Sequence, residues 1–530
     1  MRAFTLFRSL THVLLVHLAA TSCVVPDEYA LLPSPDGHFF QDSNNKPFFW
    51  QADTAWLLFH RLNFSECEAY LADRAAKGFN IVLAVGFTQI GIDSPNRNGD
   101  LTFINNDISR PNELYWAYID SIVELAWSKG IRIGLVPAWG KYIHSDQNVG
   151  SFIDSTTTYP FGHFIGQRYP YLPKILGADT NPWWTNKTAV KADYAAGGVP
   201  STYTFTSWSN IYNKLVDGTV DGERSALAAR NRTGKDSWWP LMTIHPTNQW
   251  FQDGPLALAS AFFGGSSWLT FDASQSGHAD YPPNPPIPWW NARRGWEPVT
   301  LMYSGGEKSE RKRPVLDNEA HYEGRYINGK AGNPYWNATD IRVGSWQAVF
   351  SGAAGVTYGA NNVMQMYIPG LFSPDGSGPA RSWAEDLHLP GSGQMQYIKK
   401  AVMDRRSTMN FSTVPAQELL VGDIGKDLAN TQNGLIPAFT LGFADTETST
   451  GTDDERITAL RDSKGSWIMV YNPTGRAFSV EITTLEGSEI GAKWYDPTTG
   501  IYRVFDYHRE DMPSQTTREF VPAAAEGHLD

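Results

Sequence analysis

A strand-then-helix rhythm running from about Phe48 to Arg405 is the strongest constraint on how this chain folds. Short apolar runs read as buried parallel strands over Phe48–Trp50, Asn80–Val85, Ile131–Val136, Lys174–Gly177, Leu241–Ile244, Trp268–Phe271, Pro314–Leu316 and Gly355–Tyr358. A helix is expected over Ser65–Lys77, with Ser65 as N-cap and Gly78 as its stop. A second is expected over Glu113–Lys129, where Leu114, Tyr118, Ile122 and Leu125 or Ala126 share one face and Gly130 ends it. Parallel strands alternating with helices predict an α/β fold closed as a (β/α)8 TIM barrel.

After Arg406 the rhythm changes. Short strand-like runs over Leu419–Val421, Phe439–Phe443, Ile457–Arg461, Trp467–Asn472, Ala477–Ile482, Gly491–Tyr495 and Gly500–Phe505 are separated by turn residues, with a polar loop over Thr446–Glu455. That pattern predicts a smaller all-β sandwich. The expected organisation is a leader over 1–22, a barrel over 32–405 and a sandwich over 412–523.

Arg2 and Arg8 precede a short apolar stretch, Val13–Ala20, and small residues Ala20 and Ser22 offer a cleavage site. This is the layout of a secretory signal peptide, too short to span a bilayer, and no later segment is long enough either. The expectation is a secreted, extracellular protein without a membrane partner. A net charge of −12 argues against nucleic acid. Two cysteines cannot make a disulfide framework. Cys67 is expected as a buried thiol, with pairing to Cys23 the alternative. Acceptor triplets at Asn63, Asn186, Asn231, Asn337 and Asn410 read as glycosylation sites beside such a leader.

In a (β/α)8 barrel, catalytic side chains sit at the carboxyl ends of the strands. Two apolar runs end there in an acid: Leu176-Gly177-Ala178-Asp179 and Val315-Leu316-Asp317-Asn318-Glu319. Two carboxyl groups facing one pocket are the minimum for cleaving a glycosidic bond. Either acid could instead pair with an Arg such as Arg325 or cap a helix. Alternation places Asp317 on the same face as Glu319, where it could touch the site or tune its neighbour. Other strand ends offer Asp53 as a sugar-hydroxyl acceptor or helix cap, and Trp56 as a ring face. They also offer His245, Gln275, His278 and Asn318 as polar lining, and Trp139, Trp250 and Tyr322 as stacking platforms. The 20 Trp suit sugar rings, and equally suit a large core. A metal site from His245, His278 and Asp53 is the main chemical rival, although no compact ligand spacing appears. No cofactor motif is present. A polysaccharide or oligosaccharide is the expected partner.

These segments resemble a known family. Gln51-Ala52-Asp53-Thr54-Ala55-Trp56, Leu135-Val136-Pro137-Ala138-Trp139-Gly140, Leu176 to Pro182, Thr243-Ile244-His245-Pro246, Gln275-Ser276-Gly277-His278 and Pro314 to Glu319 look like the apiosidase-like barrel of glycoside hydrolase family 140. The remainder resembles the β-sandwich of collagen-binding type that often follows it. The resemblance implies retaining hydrolysis of β-apiofuranosides in pectic rhamnogalacturonan II, with no cofactor. Carried onto this chain, Asp179 is the acid/base and Glu319 the nucleophile. The chain departs from the family pattern at Ala178 and Thr180 around the acid, and in a long loop over Trp183–Trp239. The alternatives are another furanoside as substrate, or a carbohydrate- or matrix-binding protein with a degenerate barrel.

Overall fold

The computed structural model describes residues 25–143, 153–179, 181–184, 206–230, 240–246, 258–278, 295–309, 311–409, 412–425, 456–487, 489–504, 510–511 and 516–522. The leader, Cys23, Trp250, Asn186, Asn231, Asn410, Phe439–Phe443, the Thr446–Glu455 loop and most of the Trp183–Trp239 segment lie outside the described residues.

Eight parallel strands form the barrel: β1 Trp50–Thr54, β2 Ile81–Phe87, β3 Arg132–Ala138, β4 Lys174–Ile175, β5 Met242–Thr243, β6 Asp272–Gln275, β7 Val315–Glu319 and β8 Gly355–Tyr358. Six pair continuously in the order β5-β4-β3-β2-β1-β8, and β6 pairs with β7. Backbone bonds close the ring at the two remaining seams. Thr270 N donates to Met242 O at 3.1 Å, and Ala354 N donates to Val315 O at 2.9 Å. Strands β1, β2 and β3 are buried at every position, as expected for strands lying between a barrel interior and outer helices.

Three sequence-based boundaries shift. The first long helix, α1, spans Phe64–Ala76 and is capped by Asn63, not Ser65. The Asn63 side chain accepts from Glu66 N while Glu66 reaches back to Asn63 N, a reciprocal cap that Ser65 cannot make from inside the helix. Strand β6 lies over Asp272–Gln275, after the aromatic run Trp268–Phe271. Strand β7 runs through Glu319 and does not stop at Leu316. The second predicted helix, α2, forms over Glu113–Ser128.

Helices α3, Thr158–Arg168, and α4, Ser209–Ala229, pack almost backbone to backbone. Gly162 and Gly166 on one face Gly218 and Gly222 on the other. A Cβ at Gly166 would stand 2.0 Å from Thr219 O, and one at Gly222 would stand 2.2 Å from His163 O. Gly166→Ala should therefore cost ~1–3 kcal/mol through forced separation of the helices, read as a lowered urea midpoint.

The sandwich strands Thr413–Pro415, Thr458–Asp462 and Ile468–Tyr471 make one antiparallel sheet, and Leu420–Val421, Phe478–Glu481 and Thr517–Phe520 make another. Leu419, Ile457, Ala459, Phe478 and Val480 bury a separate small core between them. Tyr471 stacks on Trp346 of the barrel's outer helix Ala338–Phe350, with centroids 5.3 Å apart. Tyr495 Oη donates to Tyr397 O at 2.9 Å.

Candidate active site

Asp179 stands just past β4, where the chain leaves the sheet. Gly177 takes φ +119° and Asp179 φ +49°. Such conformations disfavour most side chains, and at an active site they aim a functional group. The turn is pinned from both neighbours: Gly140 N donates to Ala178 O, and His245 N donates to Gly177 O, each at 3.1 Å.

Glu319 is aimed by a β-bulge. Along β6 and β7, Ser274 opposes Asp317 but Gln275 opposes Glu319, so Asn318 is the extra residue. A bulge breaks strict alternation and turns two consecutive side chains toward one side. Asn318 and Glu319 both reach His245 as a result. Asn318 Nδ2 donates to His245 Nδ1 at 3.0 Å, and His245 Nε2 lies 3.1 Å from Glu319 Oε2. With Nδ1 accepting, the ring proton sits on Nε2, facing the carboxylate. Asp317, expected on the face of Glu319, instead binds Ser276.

The structure brings Asp179, Glu319, His245, Gln275, His278, Asn318 and Tyr322 together. Donor atoms of Asp179, His245 and Glu319 all lie within 4.8 Å of one another. Gln275 Nε2 donates to Asp179 Oδ1 at 2.9 Å, and His278 Nε2 is 2.7 Å from Glu319 Oε1. Tyr322 packs on His278 with ring centroids 4.3 Å apart. Trp56 meets Trp139 and His245 edge to face, at 5.8 and 5.5 Å. At 2% exposure Trp56 offers almost no open ring face and instead supports the site from beneath; Trp139 is buried to a similar degree.

The two carboxyls are driven in opposite directions. Burial pushes Asp179 up to about 6, and the negative charge of Glu319 adds to the rise. Burial also disfavours a charged Glu319, but hydrogen bonds from His245 and His278 outweigh it and hold this carboxyl well below the usual range. One acid whose proton is held more firmly beside one that releases its proton readily is the division of labour that acid-assisted nucleophilic substitution requires. Burial, and after it the charges of Glu319 and Asp179, keep the Tyr322 hydroxyl protonated.

Asp53 lies elsewhere, a correction to both expectations for it. It neither caps a helix nor reaches the pocket. Its Oδ2 takes Arg74 Nε at 2.5 Å and Tyr70 Oη at 2.6 Å, and both charged side chains are fully buried. It ties β1 to α1, and it cannot join His245 and His278 in a metal site. Removing one partner from a buried pair leaves an uncompensated charge. Arg74→Met should cost ~3–5 kcal/mol in urea unfolding, and adding Asp53→Asn should return much of it.

Asn63 and Asn337 are both helix N-caps whose Oδ1 atoms accept backbone N–H groups. Cys67 is a buried free thiol, pushed up to about 12 chiefly by burial. Arg325 pairs with Asp375 at 3.2 Å and with Asn361, not with either catalytic candidate. Thr357, whose hydroxyl is 3.4 Å from Asn318 Oδ1, escaped the sequence reading. A polar residue inside an otherwise apolar strand was its only signal.

A parallel barrel with two oppositely poised carboxyls at its carboxyl-end rim defines the class: this is a (β/α)8 glycoside hydrolase. Residues 34–409 match the family model described as the apiosidase-like catalytic domain, and the chain belongs to that family. Residues 445–530 match a collagen-binding-like domain model from a collagenase. A solved structure described as a glycoside hydrolase superposes with a TM-score of 0.71 at 23% identity, covering 94% of this chain and 95% of its own. A family 5 glycoside hydrolase from Bacteroides vulgatus gives a TM-score of 0.70 at 24% identity, covering 94% and 90%. At such identities the likeness speaks for the fold. A search of curated proteins by sequence gives no match. Among the described residues no helix is long and apolar enough to cross a membrane.

Proposed function

We propose that this protein is a secreted, retaining glycosidase that cleaves β-apiofuranosyl linkages of pectic rhamnogalacturonan II. The observation that carries the chemistry is the approach of Asp179 and Glu319 oxygens to within 4.8 Å, in surroundings that raise the pKa of the first and lower that of the second. Carboxyls about 5–5.5 Å apart suit attack by one of them, whereas about 6.5–9.5 Å is needed to fit a water between. Glu319 attacks the anomeric carbon while Asp179 protonates the departing oxygen. Asp179 then takes a proton from water, which releases the sugar and restores both groups. His245 and His278 hold Glu319 in line, and Gln275 orients Asp179.

The sugar itself is inferred from family membership. Secretion is inferred from the apolar N-terminal stretch and from the collagen-binding-like domain, which suits an extracellular surface. Digestion of rhamnogalacturonan II and a panel of cell-wall glycans, with products identified by mass, should yield apiose-shortened fragments. Proton NMR should show the β-anomer first. Release of another furanose would replace the substrate, and initial formation of the α-anomer would replace the mechanism.

The closeness of Asp179, His245 and Glu319 donors also suits a divalent cation. Full activity after dialysis against a chelator is expected. Loss restored by one added metal would favour the metal-dependent reading.

A further inference from the structure

Residues Gln275 to His278 form a strap that touches both catalytic carboxyls. Gln275 Nε2 holds Asp179, and His278 Nε2 holds Glu319. Gly277 N also donates to Glu319 O at 3.1 Å. The middle of the strap is held by a third acid. Asp317 Oδ1 accepts from Ser276 N at 3.0 Å, and Oδ2 accepts from Ser276 Oγ at 2.7 Å. Asp317 is 6% exposed and precedes the bulge residue Asn318. Behind it sits Gly295, where helix Trp296–Glu307 begins; a Cβ there would stand 2.2 Å from Asp317 Oδ2. The carboxylate is thus wedged between the helix start and the strap, with one bond from each oxygen. Two bonds to one side chain, one from the backbone and one from the hydroxyl of Ser276, restrict the strap more than either would alone.

We propose that Asp317 is a positioning residue for the hydrolysis: by clamping Ser276 it sets where Gln275 meets Asp179 and where His278 meets Glu319, without touching the sugar. Partners that orient a reacting group in this way commonly matter nearly as much as the group itself. The inference rests on Asp179 and Glu319 being the reacting pair.

The test uses the full chain, with kcat and KM measured on the glycan that the wild type turns over. Asp317→Ala should lower kcat about 10–100-fold with KM within about threefold, because geometry rather than binding is disturbed. Ser276→Ala, which keeps the backbone bond, should lose less. Gly295→Ala pushes on the same carboxylate and should reproduce the kcat effect, so the proposal stays testable if Asp317→Ala does not fold. In a His278→Ala, Gln275→Ala background, Asp317→Ala should change kcat by less than about threefold, since the residues it positions are gone. Imidazole NMR of His278 gives a readout without substrate, and its signals should move in both Asp317→Ala and Ser276→Ala. An equal kcat loss in both backgrounds, a loss in KM alone, or unmoved His278 signals would overturn the role. If Asp179→Asn and Glu319→Gln stay near normal, the reacting pair itself is wrong. If those two are inactive while Asp317→Ala keeps full kcat, only the positioning role fails.

Discussion

Glu319→Gln should reduce turnover by on the order of 10⁴-fold or more while leaving the fold intact. The amide matches the carboxylate in shape but cannot attack an anomeric carbon. The site around it is built to favour a negative charge. His278 lies 2.7 Å from one oxygen and His245 lies 3.1 Å from the other. An imidazole N–H beside each oxygen suits a carboxylate, and a glutamine can offer an acceptor to only one of them. Circular dichroism should be unchanged, so the loss belongs to the chemical step. A 2-fluoro glycoside that slows release of the covalent intermediate should label the wild type on the peptide containing Glu319. It should leave the variant unlabelled. Labelling on another residue would remove Glu319 from the role.

Asp179→Asn should cost about 10²–10⁴-fold, and the size of the loss should depend on the leaving group. A good leaving group departs without a proton, so the first step survives for activated aryl glycosides. The second step then limits, because no base remains to activate water. Azide, which needs no deprotonation, should restore turnover and yield a glycosyl azide. The pH profile is a second signature. Asp179 must carry a proton to act as acid, and burial together with Glu319 raises its pKa to about 6. Wild-type kcat/KM should therefore fall as pH rises through about 6. The acidic limb should lie well below the usual carboxylate range, because the histidines keep Glu319 ionised there. In Asp179→Asn the basic limb should vanish. A basic limb that persists unchanged would assign it to another group.

The strand-end acids were legible because their signal is local. An apolar run buries itself in the sheet, and the polar residue that ends it must emerge at an edge. Gln275, His245 and His278 follow the same logic and do surround Glu319 and Asp179. Asp53 shows where that logic fails. It too follows buried apolar residues, but its carboxylate is claimed by Arg74 of the following helix, 21 residues along the chain. Nothing near Asp53 announces that a distant guanidinium will claim it. Alternation failed for Asp317 for a related reason. The bulge at Asn318 depends on how β7 pairs with β6, which no single strand encodes.

By itself, then, the order of residues determined the eight-stave barrel, the following all-β region and the position of two acids near strand ends. Each of these follows from short-range patterning, repeated along the chain, of which residues can be buried. Tertiary structure alone decided which acids meet, in which direction each pKa is driven, and which is consumed by an ion pair with a helix. Those outcomes depend on distance, burial and neighbouring charge, and such quantities exist only once remote segments have been folded against one another.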